Sequence, residues 1–168
     1  MRASRGIAVA LAAAIGIPCA ATGALGQESG SFSAIATYVR DFTSIEHADG
    51  TYFGGSLEGS STVLASSGDP FDEGGHNLST CVVYGKRSAA GLDLQTACTS
   101  TNASGDTLYL VAERRAGGVD AGGGGQGQFE LAGGTGAFAG LKGSCAYETS
   151  YLANNRVITT TDCAWHRD

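Results

Sequence analysis

The chain has 168 residues, 10 of them basic and 16 acidic, for a net charge of −6 at pH 7. That length fits one domain. An acidic surface repels phosphate backbones and anionic lipid, which sets nucleic acid aside as a partner.

Residues 1–26 read as a secretory signal peptide. Arg2 and Arg5 form a basic start, Ile7 to Ile17 is an unbroken small and apolar run, and small residues follow Pro18 up to Gly26. The run is shorter than the roughly 20 apolar residues that span a bilayer, so no membrane span is expected. A lipid-bearing Cys19 is the competing reading, but Pro18 sits where that signal wants a small residue. Cleavage after Gly26 leaves residues 27–168 as a single domain with 8 basic and 16 acidic residues, a net charge of −8. The expected location is outside the cytoplasm, periplasmic or extracellular.

Beyond residue 26 there is almost no helical signal. Short apolar runs broken by Gly, Ser and Thr predict an all-β domain, with eight strands at about 31–42, 50–65, 78–87, 92–101, 106–115, 126–132, 141–151 and 156–166. Two long loops interrupt them. Ser66 to Asn77 holds Pro70 and the acids Asp69, Asp72 and Glu73. Its spacing lacks the alternating oxygens of a calcium loop, so a solvated acidic loop is expected. The second loop, Ala116 to Gly127, is the low-complexity run AGGVDAGGGGQG.

Cys19 leaves with the signal peptide, and Cys81, Cys98, Cys145 and Cys163 remain. An even number in a small exported domain reads as two disulfides. No C-x-x-C spacing occurs and His47, His76 and His166 are scattered, so no metal is expected. Hairpin register chooses among the three connectivities. A two-residue turn at Ala89-Ala90 sets Cys81 opposite Cys98. A hairpin centred on Asn154 sets Cys145 opposite Cys163. Directly opposed residues are close enough to bridge, which favours Cys81–Cys98 and Cys145–Cys163. A two-residue turn at Ser104-Gly105 then sets Cys98 opposite Val111 and Thr96 opposite Glu113.

On these registers one face of the middle strands carries Cys81, Val83, Leu94, Tyr109, Val111, Glu113 and Arg115. One face of the last hairpin carries Cys145, Tyr147, Tyr151, Val157, Cys163 and Trp165. Turned inward, these faces suit an eight-stranded antiparallel barrel, filled or holding one small ligand. Glu113 is the candidate catalytic residue. Inside a barrel its carboxylate is either paired with Arg115 at the rim or shifted in pKa and usable as acid or base. Tyr109, Arg115, Tyr147, Tyr151 and Trp165 are the candidate ligand-binding residues, offering apolar walls with a few polar groups. The competing reading has the aromatic rings fill the barrel as core.

Gly133 to Cys145 reads GGTGAFAGLKGSC. A phosphate-binding loop needs a strand before it and a helix after it. Here the following residues, LKGSCAYETSYL, are strand-like, and Lys142 precedes Gly143 rather than Ser or Thr. The glycines are expected to shape the backbone instead. Gly136 allows a sharp turn, Phe138 plugs the barrel end, and Gly140 and Gly143 let the next strand bend.

GDTLYL (105–110), a Gly-rich gap, FELAGGTGAFAGLKGSCAYE (129–148) and TTTDCAW (159–165) resemble the allene oxide cyclase barrel-like superfamily. That group also holds plant dirigent proteins, bacterial spirocyclases and small exported bacterial proteins. The corresponding features are Gly68-Asp69-Pro70, Cys81 with Cys98, Gly105-Asp106, and Gly133 to Leu141, and the resemblance covers residues 31–166. It implies an eight-stranded antiparallel barrel around a hydrophobic cavity, often as a homodimer or homotrimer. It also implies that a small apolar or aromatic molecule is bound there and guided through cyclisation, isomerisation or coupling, without a cofactor. The alternative is a packed barrel acting as an interaction or structural module.

Overall fold

The computed structural model describes residues 29–114 and 125–168. The strands are β1 (Ser29–His47), β2 (Gly50–Ser66), β3 (His76–Ser88), β4 (Gly91–Asn102), β5 (Thr107–Arg114), β6 (Gly125–Gly134), β7 (Leu141–Tyr151) and β8 (Arg156–Arg167). Each pairs antiparallel with the next, and β8 pairs with β1, so the sheet closes on itself. Closure removes the edges that a glycine-rich sheet would otherwise expose. All eight strands expected from the sequence are present. Residues 1–26 and most of the low-complexity loop lie outside the described residues. Among the described residues no helix is long and apolar enough to cross a membrane.

The two-residue period of a strand sorts the side chains. In β3, Ser79, Cys81 and Val83 are buried while Leu78, Val82 and Tyr84 are exposed. The turn at Ala89-Ala90 pairs Ser88 with Gly91 and Cys81 with Cys98, whose Cα atoms are 4.0 Å apart and whose sulfurs are bonded. In the last hairpin Asn154 and Asn155 take φ 58, a left-handed conformation that asparagine tolerates. Cys145 there stands opposite Cys163, again bridged. Both favoured disulfides are present.

The β4–β5 turn corrects the expected register. Thr101 pairs with Thr107 and Cys98 with Leu110, so the loop holds three residues, Ala103 to Gly105, rather than two. The Asn102 and Gly105 amides donate to the carbonyls of Asp106 and Asn102, and Gly105 sits at φ 87. Asn102 Oδ1 also accepts from the amides of Ser104 and Asp106, at 3.0 and 2.9 Å. The result is a three-residue hairpin loop with a left-handed glycine. One added residue turns every side chain of the following strand over. Leu108, Leu110, Ala112 and Arg114 therefore point inward. Tyr109, Val111 and Glu113, expected inside, have their side chains in solvent.

The packed core occupies one end of the barrel. Phe71, Leu108, Leu131, Phe138, Leu141 and Trp165 form it, each almost wholly buried. Phe138 plugs that end as expected. Phe71 comes from the loop expected to be solvated. Its neighbours Asp69, Asp72 and Glu73 are exposed, but its own ring lies 3.8 Å from that of Phe32 and 5.6 Å from that of Phe138, centroid to centroid.

The two glycine motifs meet in one structure that seats the plug. The Thr107 amide donates to Thr135 Oγ1 at 2.9 Å, and the Ala137 amide donates to Asp106 Oδ2 at 3.2 Å. Gly136 has φ 53, and a Cβ there would collide with the Asp106 carboxylate. Gly105-Asp106 and Gly134-Thr135-Gly136 thus fold against each other, and Phe138 is carried into the core on the resulting 3-10 turn (Gly136–Phe138).

Candidate functional site

Beyond the plug the barrel is hollow. A cavity of about 630 Å³ extends from Phe71 and Leu108 to the opposite end. Ala34, Ala36, Val83, Leu94, Phe129 and Val157 supply apolar wall. Arg40 and Phe42 of β1, Phe53 of β2, Arg87 of β3, Arg114 of β5 and Tyr151 of β7 stand around the far end. Outside the plug the stacked rings of Phe42 with Phe53 and of Phe129 with Tyr147 line the cavity rather than fill it.

Two polar groupings interrupt the apolar wall. The deeper one runs across four strands. Tyr38 pairs with Gly59, Gly59 with Ser79, and Ser79 with Ser100. Gly59 leaves the space between Tyr38 and Ser79 free of any side chain. The buried Ser79 and Ser100 hydroxyls are 2.9 Å apart. Burial pushes the Tyr38 phenol above its ordinary pKa, and its hydrogen bond with Ser79 offsets part of that rise. At neutral pH Tyr38 is an uncharged hydrogen-bonding group facing a largely apolar space.

The second grouping lies nearer the mouth, over β6. Arg114 reaches in from β5 and Tyr147 from β7. A Cβ on Gly125 would lie 2.7 Å from Arg114 Nη1, and one on Gly127 would collide with the Tyr147 phenol. The two glycines thus form a floor on which the guanidinium and the phenol rest. Burial raises the Tyr147 pKa, while the Arg114 charge pulls it down and Tyr151 adds a small rise. Arg114 Nε is buried without a hydrogen-bond partner among the described residues.

Among the described residues, the charges lining the cavity are of one sign. Arg40, Arg87 and Arg114 line it, and no Asp or Glu among the described residues does. No carboxylate among the described residues forms an ion pair with any of the three. Lys86, also at this end of the barrel, is paired with Asp49 at 2.5 Å. Among the described residues, then, an acidic chain has a basic cavity lining.

The residues singled out from the sequence divide accordingly. Tyr147 and Tyr151 line the cavity, with the Arg40 guanidinium 5.2 Å from the Tyr151 ring centre. Trp165 is 3% exposed and belongs to the plug. Tyr109 is 41% exposed on the outer face. Glu113 is on that face too, where Gln95 Nε2 donates to its Oε1 at 3.4 Å. The expectation that both face the interior is corrected by the three-residue β4–β5 loop. Arg115 lies outside the described residues. The sequence reading missed Arg114, Tyr38, Ser79 and Ser100. Asn102 with Gly105 was the available signal for Arg114, because a side chain that caps its own turn goes with a longer loop. The alternation of Phe32, Ala34, Ala36, Tyr38 and Arg40 was the signal for Tyr38.

The described residues thus form a closed eight-stranded barrel with one plugged end and one hollow end. No protein-family model matches the sequence, and no curated protein does. Among solved structures, the pterocarpan synthase dirigent protein PsPTS1 is similar with 13% identity and a TM-score of 0.51, over 84% of this chain and 97% of that one. The pterocarpan synthase dirigent protein GePTS1 is similar with 14% identity and a TM-score of 0.49, over 84% and 93%. At such identities the likeness is one of fold. The chain is a dirigent-like barrel.

Proposed function

We propose that this protein is exported and binds a small apolar or aromatic molecule in the cavity, where the walls guide its cyclisation, isomerisation or coupling. The observation that carries the reading is the cavity itself. At about 630 Å³ it lies inside the usual range for small-molecule sites, and it has their usual make-up of apolar walls with a few placed polar groups. The hydroxyls of Tyr38 and Tyr147 are the groups to orient a bound molecule. Export rests on the signal-like residues 1–26 and is supported by two disulfides, which persist in oxidising compartments. Native mass spectrometry of protein purified from its own host tests the reading. A co-purified small molecule at one per chain is the expected result. A clean apo mass, unchanged after incubation with apolar and aromatic compounds, would overturn it.

A further inference from the structure

We infer that the cavity selects molecules carrying an anionic oxygen group, a carboxylate or its equivalent, and that Arg114 on the Gly125–Gly127 floor is the seat of that group. The inference rests on the binding function proposed above and adds the chemical class of the ligand. Three observations point to it independently. The first is charge. A protein of net charge −6 has three arginines and no acid along its cavity among the described residues. Arg40 and Arg114 are half-buried and Arg87 is exposed at the mouth, so the field along the cavity attracts an anion.

The second is an unmet donor. A guanidinium offers five N–H groups and no acceptor. Arg114 Nε is buried and bonds to nothing among the described residues. A buried donor without an acceptor is costly, and a planar carboxylate is the acceptor whose geometry matches the guanidinium fork. The third is space. Gly125 and Gly127 are on the inward side of β6, and side chains there would displace Arg114 and Tyr147. The floor keeps the guanidinium and the phenol together on the cavity side. Tyr147, a phenol that keeps its proton at neutral pH, is a second donor to the same anion. Arg40 and Arg87 add attraction for an anion at the mouth.

Two fluorescent probes of the same aromatic body test this. 1-Anilinonaphthalene-8-sulfonate carries an anion and N-phenyl-1-naphthylamine does not. Titration of the wild-type protein with each, repeated on Arg114→Gln, is expected to show both binding. The substitution should weaken the sulfonate at least about tenfold, since bonds to a charged group are worth that much, and leave the neutral probe within about twofold. Gly125→Ala, which keeps the charge but takes its seat, should weaken the sulfonate selectively as well and serves if Arg114→Gln does not fold. If Arg114→Gln folds and shifts neither probe, or both alike, the anion seat is wrong while the cavity reading stands. Wild type that binds only the neutral probe overturns the anion seat in the same way. If neither probe binds, the cavity reading fails and this inference fails with it.

Discussion

Ser79 and Ser100 share a buried hydrogen bond of 2.9 Å between β3 and β4, and the Tyr38 phenol bonds to Ser79 from two strands away. Ser79 is the middle member of the three. Ser79→Ala leaves both outer hydroxyls without it, whereas Tyr38→Phe leaves the serine pair intact. An orphaned buried hydroxyl costs about 1–3 kcal/mol and a lost bond about 1 kcal/mol. Urea unfolding should therefore rank Ser79→Ala as the more destabilising of the two. The reverse order would mean that Tyr38 does not depend on Ser79.

The two raised phenols predict how stability varies with pH. Tyr38 and Tyr147 both have folded-state pKa values above the ordinary 10.0, chiefly from burial. An unfolded tyrosine thus loses its proton before either of these does. Below pH 10 their contribution is intact, and it is lost as pH rises through 10 toward the folded values. The melting temperature of the wild type should fall more steeply above pH 10 than that of the Tyr38→Phe, Tyr147→Phe double variant. Parallel curves would place the titration elsewhere.

Each disulfide closes a loop within one hairpin, between residues 17 and 18 apart in the chain. Loops of that size are worth about 3 kcal/mol per bridge through restriction of the unfolded chain. Cys81→Ser with Cys98→Ser should lower stability by about that amount, and the Cys145, Cys163 pair should do the same, measured by urea unfolding. Peptide mapping that joined Cys81 to Cys145 would contradict both the register and the fold.

Trp165 and Glu113 separate the plug from the outer face. Trp165→Ala removes a ring from a buried aromatic cluster and should cost about 3–5 kcal/mol. Glu113→Gln alters an exposed side chain and should leave affinity for N-phenyl-1-naphthylamine within about twofold and stability within about 0.5 kcal/mol. A large loss of binding on Glu113→Gln would return that residue to the cavity.

The fold was legible where sequence chemistry is local. Gly, Asn and small-residue turns bounded eight strands, and the opposed cysteines checked two registers against each other. The candidate site was less so, because half of it hangs on one turn. Ser104-Gly105 reads equally well as a two-residue turn, and only the Asn102 side chain, bonded to the amides of Ser104 and Asp106, makes the loop longer by one. That residue took Glu113 out of the interior and brought Arg114 into it. Phe71 escaped notice for a different reason. Flanked by a proline and an acid, it looked solvated, and its burial depends on Phe32 and Phe138, which no local pattern links to it. Tyr147 and Tyr151 were placed correctly because the register of their hairpin was fixed by a disulfide.

The plug built by Phe71, Phe138 and Trp165 makes the hollow a cul-de-sac. Among the described residues the plug closes that end, so a molecule bound in the hollow would enter and leave past the same arginines. A long molecule would be read by the end it inserts while the remainder trails in solvent, and the barrel would recognise termini rather than lengths.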